Sequence, residues 1–169
     1  MSDKLGWGTD GRLFQEKVLQ GGRLVIDKVL TTTAGGCKGD VLACTEPDGS
    51  KITFSVTGLT GKNEDQWAYS QFLAIHELGH VWDFRLGQGG DSAPLTNGLL
   101  RVLAATPAQA RNRGFRGREG IEDFADSVAS FVMGGTRSQT DVSYYGSARE
   151  NYIACIATVP NHAEGNCAP

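Results

Sequence analysis

Apolar residues recur at helical spacing along much of the chain. The clearest stripe lies in the second half and is formed by Ile121, Phe124, Ala125, Val128, Phe131 and Val132. Gly134 and Gly135 are expected to end this helix. Shorter helices are predicted over residues 10–20, 95–105 and 147–157. The second half of the chain is therefore expected to be mainly helical.

A longer helix is predicted between residues 63 and 86. Asn63 is a suitable N-cap, and the acidic residues that follow it are favoured by the helix dipole. The helix would end at Gly87 and span about 35 Å. Between Phe72 and Trp82 the strongly polar side chains are His76, Glu77 and His80. An apolar helix buries such groups only when they have partners, so they mark a candidate site.

The first 60 residues contain the predicted strands. Residues 23–31 are rich in β-forming aliphatic residues and predict a buried strand. Residues 40–45 and 51–57 flank a turn-forming segment, residues 46–50, and predict a β-hairpin. The apolar positions of its second strand alternate with polar ones and are Ile52, Phe54 and Val56. This alternation predicts one wet face. The hairpin would either offer an edge strand to an extended peptide or form an ordinary half-buried part of the sheet.

Length and composition narrow the function classes. A chain of 169 residues is expected to form a single domain with its own core, so a metal would serve catalysis rather than folding. The net charge of −3 and pI of about 5.6 give no overall attraction to nucleic acid or to an anionic membrane. No apolar run is long enough for membrane insertion, and residues 1–4, which no apolar stretch follows, are not expected to begin a signal peptide.

Four cysteines allow three disulfide connectivities, and none has the C-x-x-C spacing of a zinc knuckle. We favour the two local pairs, Cys37 with Cys44 and Cys155 with Cys167, which imply a secreted or extracellular protein. The alternative is reduced thiols in a cytoplasmic protein.

His76 and His80 are four residues apart, so a helix places both imidazoles on one face, one turn apart. Two such histidines can bind one metal ion, and the H-E-x-x-H spacing favours zinc. Glu77 is rotated by about 100 degrees from His76 and would face a water rather than the metal, as a general base must. The alternative is a pair of core histidines satisfied by hydrogen bonds.

Catalytic zinc normally has three protein ligands, so a third must come from elsewhere. Glu122 is the best candidate, because it lies at the edge of the apolar stripe with Asp126 one turn later. The small residues Ala125 and Ala129 would let this helix approach the histidine helix closely. One carboxylate can then bind the metal while the other accepts the remaining N–H of a ligand histidine. Two solvated acidic residues are the alternative.

The H-E-L-G-H motif, followed about forty residues later by E-D-F-A-D at residues 122–126, resembles the gluzincin pattern of zinc metallopeptidases, H-E-x-x-H plus E-x-x-x-[DE]. It is similar in particular to the lethal-factor-like peptidases, whose second motif also carries Phe-Ala before the second acid. The resemblance implies Glu77 as base, Asp126 as the acid that orients a ligand, and three zinc ligands, His76, His80 and Glu122. The resemblance is limited to the two motifs and to their separation in the sequence.

The chain departs from this family pattern at the residue that would stabilise the oxyanion of the reaction. Such enzymes often have a tyrosine shortly before the second motif, where this chain has Phe115. Another group must then stabilise the oxyanion, and the candidates are Tyr144, Tyr145 and His162, each of which also suits a structural role.

Other zinc peptidase classes fit less well. The metzincin extension requires Gly and His where this chain has Asp83 and Leu86. Asp141, followed by a Tyr-Tyr-Gly sequence, resembles part of the aspzincin motif with different spacing and is the alternative third ligand. Asp83 lies on the histidine face and would either orient an imidazole or be a carboxylate on the helix surface.

We therefore expect an α+β, zincin-like fold in a single domain. Residues 1–87 would form a small twisted sheet packed on the zinc helix, and residues 88–169 a mainly helical subdomain that supplies the third ligand. The expected function is a monomeric zinc endopeptidase that acts on protein or peptide substrates. The alternatives are a non-catalytic zincin-fold module, for binding or associated with a toxin, and a structural domain without metal.

Overall fold

A computed structural model describes residues 12–39, 41–56, 64–87, 93–107, 120–133, 146–159 and 164–169. In chain order its main elements are α1 (Arg12–Lys17), β1 (Val25–Val29), β2 (Ala43–Thr45), β3 (Lys51–Ser55), α2 (Glu64–Leu86), α3 (Pro94–Ala105), α4 (Ile121–Met133) and α5 (Ser147–Thr158). Two short 3-10 helices span Thr32–Gly35 and Glu164–Cys167. The architecture is α+β, as the sequence predicts.

The helices follow the apolar periodicity closely. α2 has 23 residues and ends at Leu86, as predicted, and α3, α4 and α5 lie within a residue or two of their expected bounds. α1 is shorter than the predicted helix over residues 10–20, since it ends at Lys17 and Gln20 adopts a positive φ of 49°. The proposed N-cap Asn63 lies outside the described residues.

The sheet has the strand order β1-β3-β2. β2 and β3 are antiparallel, with Ala43 opposite Phe54, so the predicted hairpin is confirmed. β1 is parallel to β3 and forms the other edge of the sheet within the described part of the chain. The prediction that β1 is buried is wrong: Val25 is 56% and Ile26 66% exposed. The helical core packs against β2 and β3, so β1 is covered mainly by its pairing with β3.

The prediction that β3 has a wet face is also wrong, because β3 is the central strand and both of its faces are covered. Ile52 and Phe54 belong to the hydrophobic core, and the intervening Thr53 is buried as well. Thr53 lies against the 3-10 helix at Gly35, where a Cβ atom would be 2.3 Å from the Thr53 Cγ2 atom. A glycine at position 35 therefore allows the 3-10 helix to cover this face.

The hydrophobic core lies between the sheet and the four helices α2, α3, α4 and α5. The rings of Trp82 on α2 and Phe124 on α4 meet edge to face with centroids 6.4 Å apart. Other core side chains come from β3, α3 and α5 and include Ile52, Phe54, Leu95, Leu99, Ile153 and Ile156. This packing fixes α4 against α2, the two helices that carry the candidate ligands.

Asp83 is fully buried, and the prediction that it is a surface carboxylate is wrong. Its carboxylate accepts hydrogen bonds from the backbone N–H groups of Leu95 and Thr96, at 2.7 and 3.2 Å, and from the Thr96 hydroxyl at 2.5 Å. Asp83 therefore satisfies the free N–H groups at the start of α3, and it does not orient an imidazole.

Both predicted disulfides are present, Cys37 with Cys44 and Cys155 with Cys167. They indicate an oxidising, extracellular environment for the folded chain. Within the described ranges, no helix has both the length and the apolar character needed to cross a bilayer.

Candidate metal centre

The two histidines of α2 are buried, and their Nε2 atoms converge on one point. His76 and His80 are 6% and 5% exposed, and their Nε2 atoms lie 3.0 Å apart. The rings meet edge to face, with centroids 4.7 Å apart. The spacing of one helical turn therefore brings two nitrogen donors together, as the sequence predicts.

Glu122, in the first turn of α4, completes the group. Its two carboxylate oxygens lie 3.5 Å from His76 Nε2 and 3.6 Å from His80 Nε2. One ligand atom from each of the three residues lies within 4.8 Å of the others. In a tetrahedral zinc site with bonds of about 2.0–2.1 Å, neighbouring ligand atoms are about 3.3–3.4 Å apart. The separations of these donors fit a single zinc ion.

The histidines are oriented by different contacts. His76 Nδ1–H donates a hydrogen bond of 2.7 Å to Asp126 Oδ1, one turn after Glu122 on α4. This bond places the proton on Nδ1 and leaves Nε2 to face the site. His80 stacks on Phe84, with ring centroids 5.5 Å apart, and its Nδ1 has no hydrogen-bond partner among the described residues. Packing therefore orients His80, whereas a carboxylate orients His76.

The ionisable groups of the site shift one another's pKa values. Burial lowers the pKa of His76, but hydrogen bonds with Asp126 and Glu122 outweigh this effect and raise it to about 9. Hydrogen bonds with His76 and His80 hold the pKa of Glu122 well below its usual range. A metal ion at Nε2 requires a neutral imidazole, so binding would displace a proton from His76.

Glu77 directly follows His76 on α2, and its side chain contacts β2. It is 3% exposed, and its Oε2 atom accepts a hydrogen bond of 2.6 Å from the Thr45 hydroxyl at the end of β2. The sequence did not identify Thr45, since a threonine in a β-prone segment carries no local signal for this role. Pairing of β2 with β3 brings Thr45 to the helix.

A buried ion pair fixes the first turn of α4. The Arg149 guanidinium on α5 donates two hydrogen bonds of 2.8 Å to the two carboxylate oxygens of Asp123. Asp123 directly follows Glu122, so this pair holds the backbone that carries the third candidate ligand. The sequence showed an acid here, but the identity of its partner depends on how α5 packs on α4.

Small residues allow α2 and α4 to approach closely, as predicted. A Cβ atom at Gly79 would lie 3.0 Å from the Ala125 Cα atom and 3.5 Å from its carbonyl oxygen. Alanine is intrinsically preferred over glycine in a helix by about 0.5–1 kcal/mol, whereas overpacking a core costs about 1–3 kcal/mol. Overpacking should dominate, because the neighbouring atoms belong to the backbone.

We therefore expect Gly79→Ala to lower the free energy of unfolding by about 1–2 kcal/mol, which is about 2–8 °C in melting temperature for a domain of this size. Thermal denaturation measures this shift. Gly165→Ala is the matched control, because nothing lies within 4 Å of its Cβ position. A Gly79→Ala variant as stable as the wild type would show that the helices are not in close contact.

Asp126→Asn should weaken binding of a metal ion at this centre by about 10–100-fold, because the Asp126 charge orients His76 and makes its imidazole a more basic ligand. Competition with a chromophoric chelator measures the affinity. Asp27→Asn, on the far edge strand β1, makes the same chemical change away from the site and should leave the affinity unchanged. Equal affinities of Asp126→Asn and the wild type would contradict a role for Asp126 at the metal.

Several predicted site residues lie outside the described part of the chain. They are the alternative ligand Asp141, the oxyanion candidates Tyr144, Tyr145 and His162, and Phe115 before the second motif.

Fold and site together define an α+β protein with a candidate His-His-Glu metal centre between its long helix α2 and the start of α4. Comparisons with protein-family models, curated proteins and solved structures find no match to this chain.

Proposed function

We propose that this protein is a secreted, zinc-dependent endopeptidase with a zincin-like fold. The observation that carries the proposal is the convergence of His76, His80 and Glu122 on one point. Glu77 directly follows His76 on α2, is buried, and its charge acts on the His76 imidazole. Hydrolytic zinc sites use three protein ligands, which leave the fourth coordination position open for a water or the substrate. A neighbouring carboxylate then serves as the base.

The residues have separate roles in this proposal. When bound, zinc supplies a Lewis acid that makes a water more acidic and polarises the substrate carbonyl. Glu77 accepts a proton from the attacking water and delivers it to the leaving amide nitrogen. Asp126 holds His76 in the tautomer that directs Nε2 to the site.

The position of the sheet next to Glu77 is an argument for a peptide substrate. β2 is an edge strand among the described strands, and its last residue, Thr45, contacts Glu77. An extended peptide can add to such an edge through backbone hydrogen bonds. This arrangement would bring a peptide bond close to Glu77 without requiring a particular side chain, which favours protein and peptide substrates. We propose that the protein acts as a monomer outside the cell.

Two measurements on protein purified with its disulfides intact test the proposal. Metal analysis should find one zinc per chain, and mass spectrometry of a diverse peptide library should find cleavage products. A zinc chelator should abolish cleavage, and zinc addition should restore it. A zinc-loaded protein that cleaves no peptide in the library would contradict the peptidase assignment and favour a binding module. Protein that binds no zinc would contradict the metal centre itself.

A further inference from the structure

We propose that Thr45 is a positioning residue for Glu77: its hydroxyl fixes one carboxylate oxygen so that the other faces the reacting water. This inference rests on the proposed function for its catalytic consequence. Its structural part, that Thr45 fixes the Glu77 side chain, can be tested without activity.

The Thr45 hydroxyl has two possible acceptors on Glu77. The carboxylate Oε2 atom is 2.6 Å away, and the backbone carbonyl oxygen is 3.2 Å away. A hydroxyl has one proton, so it can donate fully to only one of them. The carbonyl already faces the N–H one turn later in α2, and a carboxylate is the stronger acceptor. The proton therefore belongs to the bond with Oε2.

Burial makes this bond important. Glu77 is 3% exposed, and a buried carboxylate is costly unless hydrogen bonds replace its lost water. Thr45 supplies that bond to Oε2 from outside α2. With Oε2 held by Thr45, Oε1 is the oxygen that would accept the proton of the water and then pass it to the leaving nitrogen. The Thr45 proton stays on its own oxygen through both transfers.

β2 is anchored in a way that suits this role. Thr45 is paired with Ile52, which belongs to the core, so its side chain lies on the helix side of the sheet. The preceding Cys44 is paired with Thr53, on the opposite side. There the disulfide to Cys37 ties the strand to the segment after the 3-10 helix. The three-residue strand β2 is thus held by a disulfide on one face of the sheet, while Thr45 on the other face contacts Glu77.

Thr45→Val tests the proposal, because valine keeps the size and branching of threonine but cannot donate. Thr45→Ser is the matched control, because it keeps the hydroxyl and loses only the methyl group. In the valine variant we expect kcat to fall by about 10–100-fold, the size of a lost hydrogen bond to a charged group. KM should change by less than about threefold, with one zinc still bound, and the serine variant should recover most of the wild-type kcat.

Crystal structures of the valine and serine variants, prepared without added metal, provide the second readout. The Glu77 carboxylate should leave its wild-type position in Thr45→Val and keep it in Thr45→Ser, while His76, His80 and Glu122 stay in place in both. A valine variant with the carboxylate unmoved and wild-type kcat would overturn the proposal.

The two readouts separate this inference from the proposed function. If the wild type cleaves no peptide, the proposed function fails, and the carboxylate position alone decides whether Thr45 fixes Glu77. If the wild type is active and Thr45→Val loses zinc or raises KM as much as it lowers kcat, Thr45 is structural and the positioning role is overturned.

Discussion

Glu77→Gln is expected to retain zinc and to lose peptide hydrolysis by about 100–10,000-fold in kcat, the range that a general base contributes. Glutamine has the shape of glutamate and can still accept the Thr45 hydrogen bond through its amide oxygen. It cannot accept a proton from water. Because Glu77 is not among the three converging ligands, zinc content should stay at one per chain. Metal analysis and peptide-cleavage kinetics on the same samples measure both effects.

Glu150→Gln, the same change at an exposed residue of α5, is the control and should leave both quantities unchanged. A Glu77→Gln variant that cleaves peptides at the wild-type rate would exclude Glu77 as the base, whatever metal the protein binds.

Glu122→Gln should weaken zinc binding by more than about 100-fold. Loss of a residue that only orients a ligand costs about 10–100-fold, and loss of an anionic ligand should cost more. The protein should remain folded, because 38% of the Glu122 side chain is exposed and the Asp123–Arg149 pair that holds this turn is unchanged. Chelator competition measures the affinity, and circular dichroism verifies the fold.

Glu46→Gln is the control for this change. Glu46 forms a partly exposed ion pair with Lys51 in the β2–β3 hairpin, 3.6 Å apart, and such pairs contribute little. Zinc affinity should be that of the wild type. If Glu122→Gln also bound zinc as tightly as the wild type, the third ligand would have to lie elsewhere, and Asp141 would be the next candidate.

The helices and the convergence of His76, His80 and Glu122 could be predicted because their signals are local. The spacing of His76 and His80 within α2 determines that their side chains share a face. The stripe of α4 likewise determines which side faces α2, and thus where Glu122 and Asp126 lie. The disulfides each join cysteines close in sequence, Cys37 with Cys44 and Cys155 with Cys167.

Features that depend on tertiary packing could not be predicted. Thr45 and Glu77 are 32 residues apart, and their contact depends on which edge of the sheet meets α2. The exposure of β1 and the burial of Thr53 follow from strand order, which alternation along one strand does not determine. Asp83 has the right spacing for the histidine face, yet the N-terminus of α3 competes for its carboxylate and binds it.

X-ray diffraction from crystals of the purified protein, with anomalous data collected on both sides of the zinc absorption edge, tests the central claim most directly. We predict one zinc peak about 2.0–2.2 Å from Nε2 of His76, Nε2 of His80 and a carboxylate oxygen of Glu122. Zinc bound at other residues, or no zinc peak in crystals grown with the metal, would contradict the account.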